Sequence, residues 1–265
     1  MTDDTQLTLA TCEAVVAAGG VDPAAIAARF AAWFAEGRLR GLGASTTKAL
    51  RDLAAGAHWA LSGAKGERAA GNGAAMRIAP LAFALDPTGE VGRRLLRDVS
   101  RITHHHDEAY VGALAVVVAV RLASAPGYAM AGLLDDVGAA LPDSRVRDRL
   151  AKYAGFGDDV DPGQIGETWG NSGFVADSVP LALFAARAIG RRSFFQVIGN
   201  AVGAGGDTDT IGSLAGQVAG AAVGLSGLPE DLLERLRDRE EIAATARQFA
   251  GVVAAAGQDR LKPAP

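Results

Sequence analysis

Residues 205–224 read GGDTDTIGSLAGQVAGAAVG, and the spacing of their glycines decides the fold. Gly212, Gly216, Gly220 and Gly224 fall four apart, which in a helix puts them on one face. Each glycine costs a soluble helix roughly 1 kcal/mol against alanine. Such a helix persists only where its bare face packs hard against a neighbour, so residues 207–223 are read as one helix within a body of helices. Working outward, helical periodicity covers residues 5–18 and 22–36, the second opened by Asp22 as N-cap with Pro23 at the first position. A third helix is expected over 45–61, capped by Ser45 or Thr46. Residues 74–85 follow, with Pro80 kinking that helix or lying in its first turn. Further helices are expected from 89 to 101, over 107–122 as the central one, and over 129–140 and 144–154. One capped by Ser178-Val179-Pro180 then runs to 189, followed by 193–202, and the last helices begin at Leu228-Pro229. Residues 37–43, 62–73 and 155–173 have loop composition. Apolar alternation with period two is almost absent, so the fold class is all-α. The expected architecture is a compact single-domain multi-helix bundle over residues 1–265, with 256–265 as a flexible tail.

Composition agrees. The 265 residues are 49% hydrophobic but only 6% aromatic, with alanine and 34 glycines supplying small side chains that let helices approach closely. A net charge of −4 argues against a nucleic-acid groove or an anionic membrane surface, both of which favour basic patches. Cys12 is the single cysteine, which excludes an internal disulfide and suits a reducing cytoplasm. The most apolar run, 111–125, is shorter than the ~20 residues of a bilayer span and reads as a buried core helix. A cytoplasmic monomer is expected.

Two clusters of hard oxygen ligands stand at helix starts far apart in sequence: Thr2-Asp3-Asp4-Thr5 and Asp207-Thr208-Asp209-Thr210. Carboxylates and hydroxyls suit Mg²⁺, Mn²⁺ or Ca²⁺ rather than zinc. On a helix Asp3 and Asp4 diverge by about 100°, while Asp207 and Thr210, three apart, share a side from which Asp209 is turned away. The competing reading is capping alone, with Asp3 and Gln6 as a capping box and Asp207 as a plain N-cap. Gly71-Asn72-Gly73, ahead of a helix, offers backbone N–H groups for phosphate or ribose, or else is an ordinary turn. Thr103-His104-His105-His106 holds three of the four histidines. Consecutive histidines do not converge on one ion from a helix and no cysteine accompanies them, which argues against zinc. His104 reaches a pocket in this reading; His105 and His106 are solvated helix-end residues, and His58 is structural or exposed. Trp169-Gly170-Asn171-Ser172-Gly173-Phe174 either stacks an aromatic on a base or anchors a long loop.

TDDTQLTLA, GNGAAMRIAP, THHH and GGDTDTIGSLAGQVAGA stand in the order seen in the ADP-ribosylglycohydrolase family, which the chain resembles over essentially its whole length. The resemblance implies an all-α fold with a binuclear centre of two Mg²⁺ or Mn²⁺ ions. It implies hydrolysis of the glycosidic bond joining ADP-ribose to an acceptor on an ADP-ribosylated protein or small molecule. By the same resemblance Thr2, Asp3, Asp4, Asp207, Asp209 and Thr210 match the metal ligands. Gly71, Asn72, Gly73 and His104 match ligand contacts, Gly205 and Gly206 let the backbone approach the ligand, and Phe174 falls in a loop near the nucleoside. In the family a Gly-Asp-rich helix and a glutamate precede the TDDT segment, and no counterpart precedes Thr2 here. The expectation is therefore a true start upstream of Met1, with the catalytic glutamate there and the 265-residue form weakly active or inactive. The alternative is a non-catalytic ADP-ribose or nucleotide binder, or a structural member, of the same fold.

Overall fold

The computed structural model describes residues 1–260. Its N-terminal part holds α1 (Asp3–Ala18), α2 (Pro23–Ala35), α3 (Ala44–Ala54) and the single turn α4 (Trp59–Ser62). Two 3-10 turns, Glu67–Ala69 and Ala75–Arg77, precede the single turn α5 (Leu81–Ala84) and α6 (Glu90–Arg101). Then come α7 (Asp107–Ala123), α8 (Leu133–Ala140), α9 (Arg145–Ala154), α10 (Pro162–Trp169), α11 (Val175–Ala186), α12 (Phe194–Gly203) and α13 (Thr208–Val223). The described chain closes with α14 (Glu230–Arg235) and α15 (Arg239–Arg260). The all-α expectation holds. Among the described residues the only strands are β1 (Ala64–Lys65) and β2 (His104–His105), paired in parallel with Ala64 opposite His104. Among the described residues no helix is long and apolar enough to cross a membrane.

α7 is apolar on nearly every side and is covered by α6, α8, α11 and α13. Gly112 lets α11 approach it: the Val175 side chain fills the place a Cβ would take. The glycine stripe of α13 works the same way against α12, though not along its whole length. A Cβ on Gly212 would stand 3.0 Å from Val202 Cγ2 and one on Gly216 3.4 Å from Ile198 Cδ1, whereas one on Gly220 would meet nothing within 4 Å. Gly224 ends the helix at a φ of 63°, a conformation that favours glycine.

Several boundaries differ from the sequence expectation. The third helix stops at Ala54, and His58 opens α4 instead, its Nδ1 accepting from the Ala60 N–H. The 74–85 stretch is a 3-10 turn followed by α5, with Pro80 at its start. The 155–173 loop contains α10, opened by Asp161 and Pro162, the same Asp-Pro signal that opens α2. α11 starts at Val175, not at Ser178, and carries Pro180 inside. Asp3 and Gln6 form no capping box. Thr2 occupies the N-cap position without capping, and its hydroxyl donates to Asp4 Oδ2 at 2.8 Å. Gln6 instead accepts from the Arg40 N–H at 2.9 Å, tying α1 to the loop before α3. His105 is partly buried and its Nε2 has no partner among the described residues, while His106 caps α7 by accepting from the Glu108 N–H. Of the expected tail, residues 256–260 continue α15, and 261–265 lie outside the described residues.

Candidate functional site

The starts of α1 and α13 meet. Ligand atoms of Asp3, Asp4 and Asp209 lie within 4.8 Å of one another, although more than two hundred residues separate the two segments. Asp209 is thus brought into the cluster, contrary to the expectation that it turns away. The reason is local: Asp207 sits at φ −81°, ψ 65°, outside the helix, so a helical projection does not apply to it. Asp207 lines the same cleft, and its Oδ2 accepts from Asn72 Nδ2 at 2.7 Å. Thr210 is buried beside it.

This concentration of carboxylates is electrostatically costly without a cation. Burial, and then the neighbouring Asp4, push the Asp3 carboxyl up to about 6. Burial likewise raises Asp4, and burial with the adjacent Asp209 raises Asp207. Asp4 is 1% exposed and its Oδ1 has no hydrogen-bond partner among the described residues. An orphaned buried carboxylate oxygen among like charges is what a bound cation satisfies, and an all-oxygen donor set suits a hard ion. The residues present fit Mg²⁺ or Mn²⁺.

The cluster forms one end of a cleft of about 260 Å³. The rest of the cleft is lined by Gly43, Ala44, Ser45 and Thr46, with Gly71–Gly73 and His104, while Gly41 lies against the acidic cluster, where a Cβ would stand 3.5 Å from Asp3 Oδ1. The loop Gly71–Gly73 is bridged to the acidic end by Asn72, which also donates to Ser178 Oγ at 3.1 Å. His104 is brought here by the β1–β2 pairing and is 3% exposed. Its ring lies against the glycines: a Cβ on Gly73 would come within 2.7 Å of His104 Cε1, and one on Gly71 within 3.2 Å of Nε2. A side chain at Gly73 would displace the ring, and one at Gly71 would press on it.

α3 points its N-terminus at the cleft with Gly43 as N-cap and no side-chain cap. Thr46, 2% exposed, lines the cleft here and its hydroxyl has no partner among the described residues. Sequence reasoning missed this donor end because it took Ser45 or Thr46 for caps. The Gly41-Leu42-Gly43 run ahead of the helix carried the same signal as Gly71-Asn72-Gly73.

Other expected residues stand outside the cleft. Gly205 and Gly206 have φ of 73° and 66°, and they let the chain pass Asn171, whose carbonyl accepts from the Asp207 N–H at 2.8 Å. Their service is to hold Asp207. Phe174 is half-buried at the N-cap of α11, and its backbone bridges to Gly71. Trp169 is 37% exposed, with the Lys152 ammonium 3.0 Å from its ring centre.

Comparison with known proteins identifies the family. The sequence profile of the ADP-ribosylglycohydrolase family matches residues 1–259. An uncharacterized protein of Archaeoglobus fulgidus is 32% identical over 90% of this chain and 76% of its own length. The ADP-ribosyl-[dinitrogen reductase] glycohydrolase of Rhodospirillum rubrum is 27% identical over 98% of this chain and 81% of its own. ADP-ribosylhydrolase ARH3 of Mus musculus is 27% identical over 91% and 74%. A solved ADP-ribosylglycohydrolase-related protein superposes with a TM-score of 0.73 at 29% identity, covering 96% of this chain and 82% of that one. With the profile spanning nearly every residue and the fold shared, the chain belongs to the ADP-ribosylglycohydrolase family.

Proposed function

We propose that the chain is an ADP-ribosyl hydrolase that uses two divalent cations, Mg²⁺ or Mn²⁺, to cleave the glycosidic bond between ADP-ribose and an acceptor. The convergence of Asp3, Asp4 and Asp209 in one cluster carries the reading. Thr2, Asp3, Asp4, Asp207, Asp209 and Thr210 would hold the ions. Such ions, when bound, neutralise the carboxylates and supply Lewis acidity toward ribose hydroxyls and water.

The protein's own groups orient the rest of the ligand. The uncapped N–H groups at the start of α3, with the Thr46 hydroxyl, form a donor surface suited to a phosphate. Asn72 fixes the spacing between that surface and the acidic end by bonding Asp207. Cleavage at the anomeric carbon develops oxocarbenium character. The ligand class that fits both ends carries a diol at one end and phosphate at the other, as ADP-ribose does.

The test is release of free ADP-ribose from an ADP-ribosylated arginine peptide and an ADP-ribosylated serine peptide in the presence of Mg²⁺. Release from either supports the hydrolase. Tight binding of ADP-ribose with no release from either peptide replaces the hydrolase with a binding protein of the same fold.

A further inference from the structure

Behind the cleft lie two residues that the proposed reaction does not use. Arg77 is fully buried, yet among the described residues it forms no ion pair within bonding distance. Its Nη1 donates to the Gly73 carbonyl. Its Nη2 donates to Thr103 Oγ1 at 2.8 Å, with the Val99 carbonyl farther off at 3.4 Å. The guanidinium also lies 5.0 Å from the centre of the Phe30 ring. A buried charge served mainly by neutral acceptors is costly to keep, and this one stands directly behind the loop and the histidine that line the cleft. Thr103 is fully buried too, and its hydroxyl oxygen is 2.8 Å from His104 Nδ1.

We propose that Arg77 and Thr103 are positioning residues that hold His104 as the neutral tautomer protonated on Nε2. His104 then meets the cleft ligand as a hydrogen-bond donor to an anionic or hydroxyl oxygen, and not as a base. The argument is a count of protons. Arginine only donates, so the Arg77–Thr103 bond uses an acceptor site on the hydroxyl. A hydroxyl has one proton, and Thr103 Oγ1 has a single remaining partner, His104 Nδ1. If Nδ1 carried a proton, Thr103 would accept twice and its own proton would be stranded with no access to water, at the full desolvation penalty of a buried donor. If Nδ1 is bare, the Thr103 proton has an acceptor and Nδ1 a donor, so neither is stranded. The ring proton is then on Nε2, the nitrogen beside Gly71 that opens on the cleft.

The consequence is a charge delivered as a dipole. The buried guanidinium polarises the Thr103 hydroxyl, which polarises the imidazole, and each step strengthens the next. Burial, and then Arg77 itself, push the His104 pKa down to about 3, so the ring stays neutral at physiological pH. The cleft is thereby selective at this point: it accepts an oxygen with free lone pairs and rejects an ammonium or another donor. The identity of the ligand rests on the function proposed above; the tautomer does not.

The experiment uses the full chain labelled with ¹⁵N at histidine. Ring-nitrogen shifts in the ligand-free protein at pH 7 give the tautomer directly, and calorimetry with ADP-ribose in Mg²⁺ gives the affinity. Expected are an Nε2-protonated His104 in the wild type and in Thr103→Ser. Thr103→Val should show a mixture of tautomers, with ADP-ribose affinity about three- to tenfold weaker, as for the loss of one oriented neutral hydrogen bond, and Mg²⁺ affinity unchanged. An Nδ1-protonated His104 in the wild type overturns the proposal, even where Thr103→Val fails to fold. So does a folded Thr103→Val with wild-type shifts and affinity. Should the wild type fail to bind ADP-ribose at all, the functional reading falls, and the ring-nitrogen shifts decide the relay alone.

Discussion

The starts of α1 and α13 and the start of α3 line the same cleft, carry the same positive end of a helix dipole, and present opposite chemistry. The first two crowd Asp3, Asp4, Asp207 and Asp209 into a small volume. The third places Gly43, Ala44, Ser45 and Thr46 there, with no carboxylate in its first turn. None of the three is capped by its own side chain. Away from the cleft, α2, α9, α10 and α12 are capped by Asp22, Ser144, Asp161 and Ser193. A helix N-terminus favours anions. α3 leaves that preference available to a ligand, whereas α1 and α13 overwhelm it with fixed negative charge and so ask for a cation. The side chains, not the dipoles, divide the cleft into two ends.

Breaking the acidic end should have the largest effect. Asp207→Ala combined with Asp209→Ala is expected to weaken Mg²⁺ binding by more than about 100-fold, since groups that merely support metal ligands are worth about 10–100-fold. Mg²⁺-dependent ADP-ribose binding should vanish with it, as read by calorimetry; retained binding would remove these residues from the site. A second effect follows from Asp3, whose carboxyl moves from 3.8 to about 6 on folding. The folded, metal-free protein then holds this proton more tightly than the unfolded chain does. Its contribution therefore favours folding at low pH and is lost as pH rises through the window from about 4 to about 6. Asp3→Asn should remove this contribution, so its metal-free melting temperature at pH 7 should lie above that of the wild type, while the stabilisation gained on adding Mg²⁺ shrinks.

The donor end should respond less and differently. Thr46→Val is expected to weaken ADP-ribose binding by about two- to tenfold, the worth of one hydrogen bond, and to leave Mg²⁺ affinity alone. A loss of Mg²⁺ binding there would show that the two ends are not separable. The smallest effect belongs to a capped helix away from the cleft. Ser193→Ala removes the hydroxyl that accepts from the Gln196 N–H in the capping box of α12. It should cost about 1 kcal/mol of stability in denaturant melts, with ligand affinity unchanged.

Features set by neighbouring residues were legible in the sequence. The α13 stripe announced its helix because glycines four apart share a face, and the Asp/Thr clusters announced themselves because each lies within one helix start. Features set by distant pairing were not. The separation of 3.6 residues per turn turned Asp209 away on paper, yet Asp207 is not in the helix and the projection was misplaced. That His104 reaches a pocket was read from the sequence, but what carries it there, the pairing of β2 with β1 over two residues, leaves no periodic signal. Arg77 and Thr103 meet across 26 positions, a pairing that no local pattern announces. α10 was hidden by the glycines on either side of it, although Asp161-Pro162 repeats the Asp22-Pro23 signal that was recognised.

The central claim is that a cation at the acidic end and donors at the other end hold one ligand together. Calorimetric titration of ADP-ribose into the full chain, once with Mg²⁺ and once with EDTA, tests it most directly. Binding at least about tenfold tighter in Mg²⁺, equivalent to about 1.4 kcal/mol, is the predicted result. Equal affinities in the two buffers would contradict it.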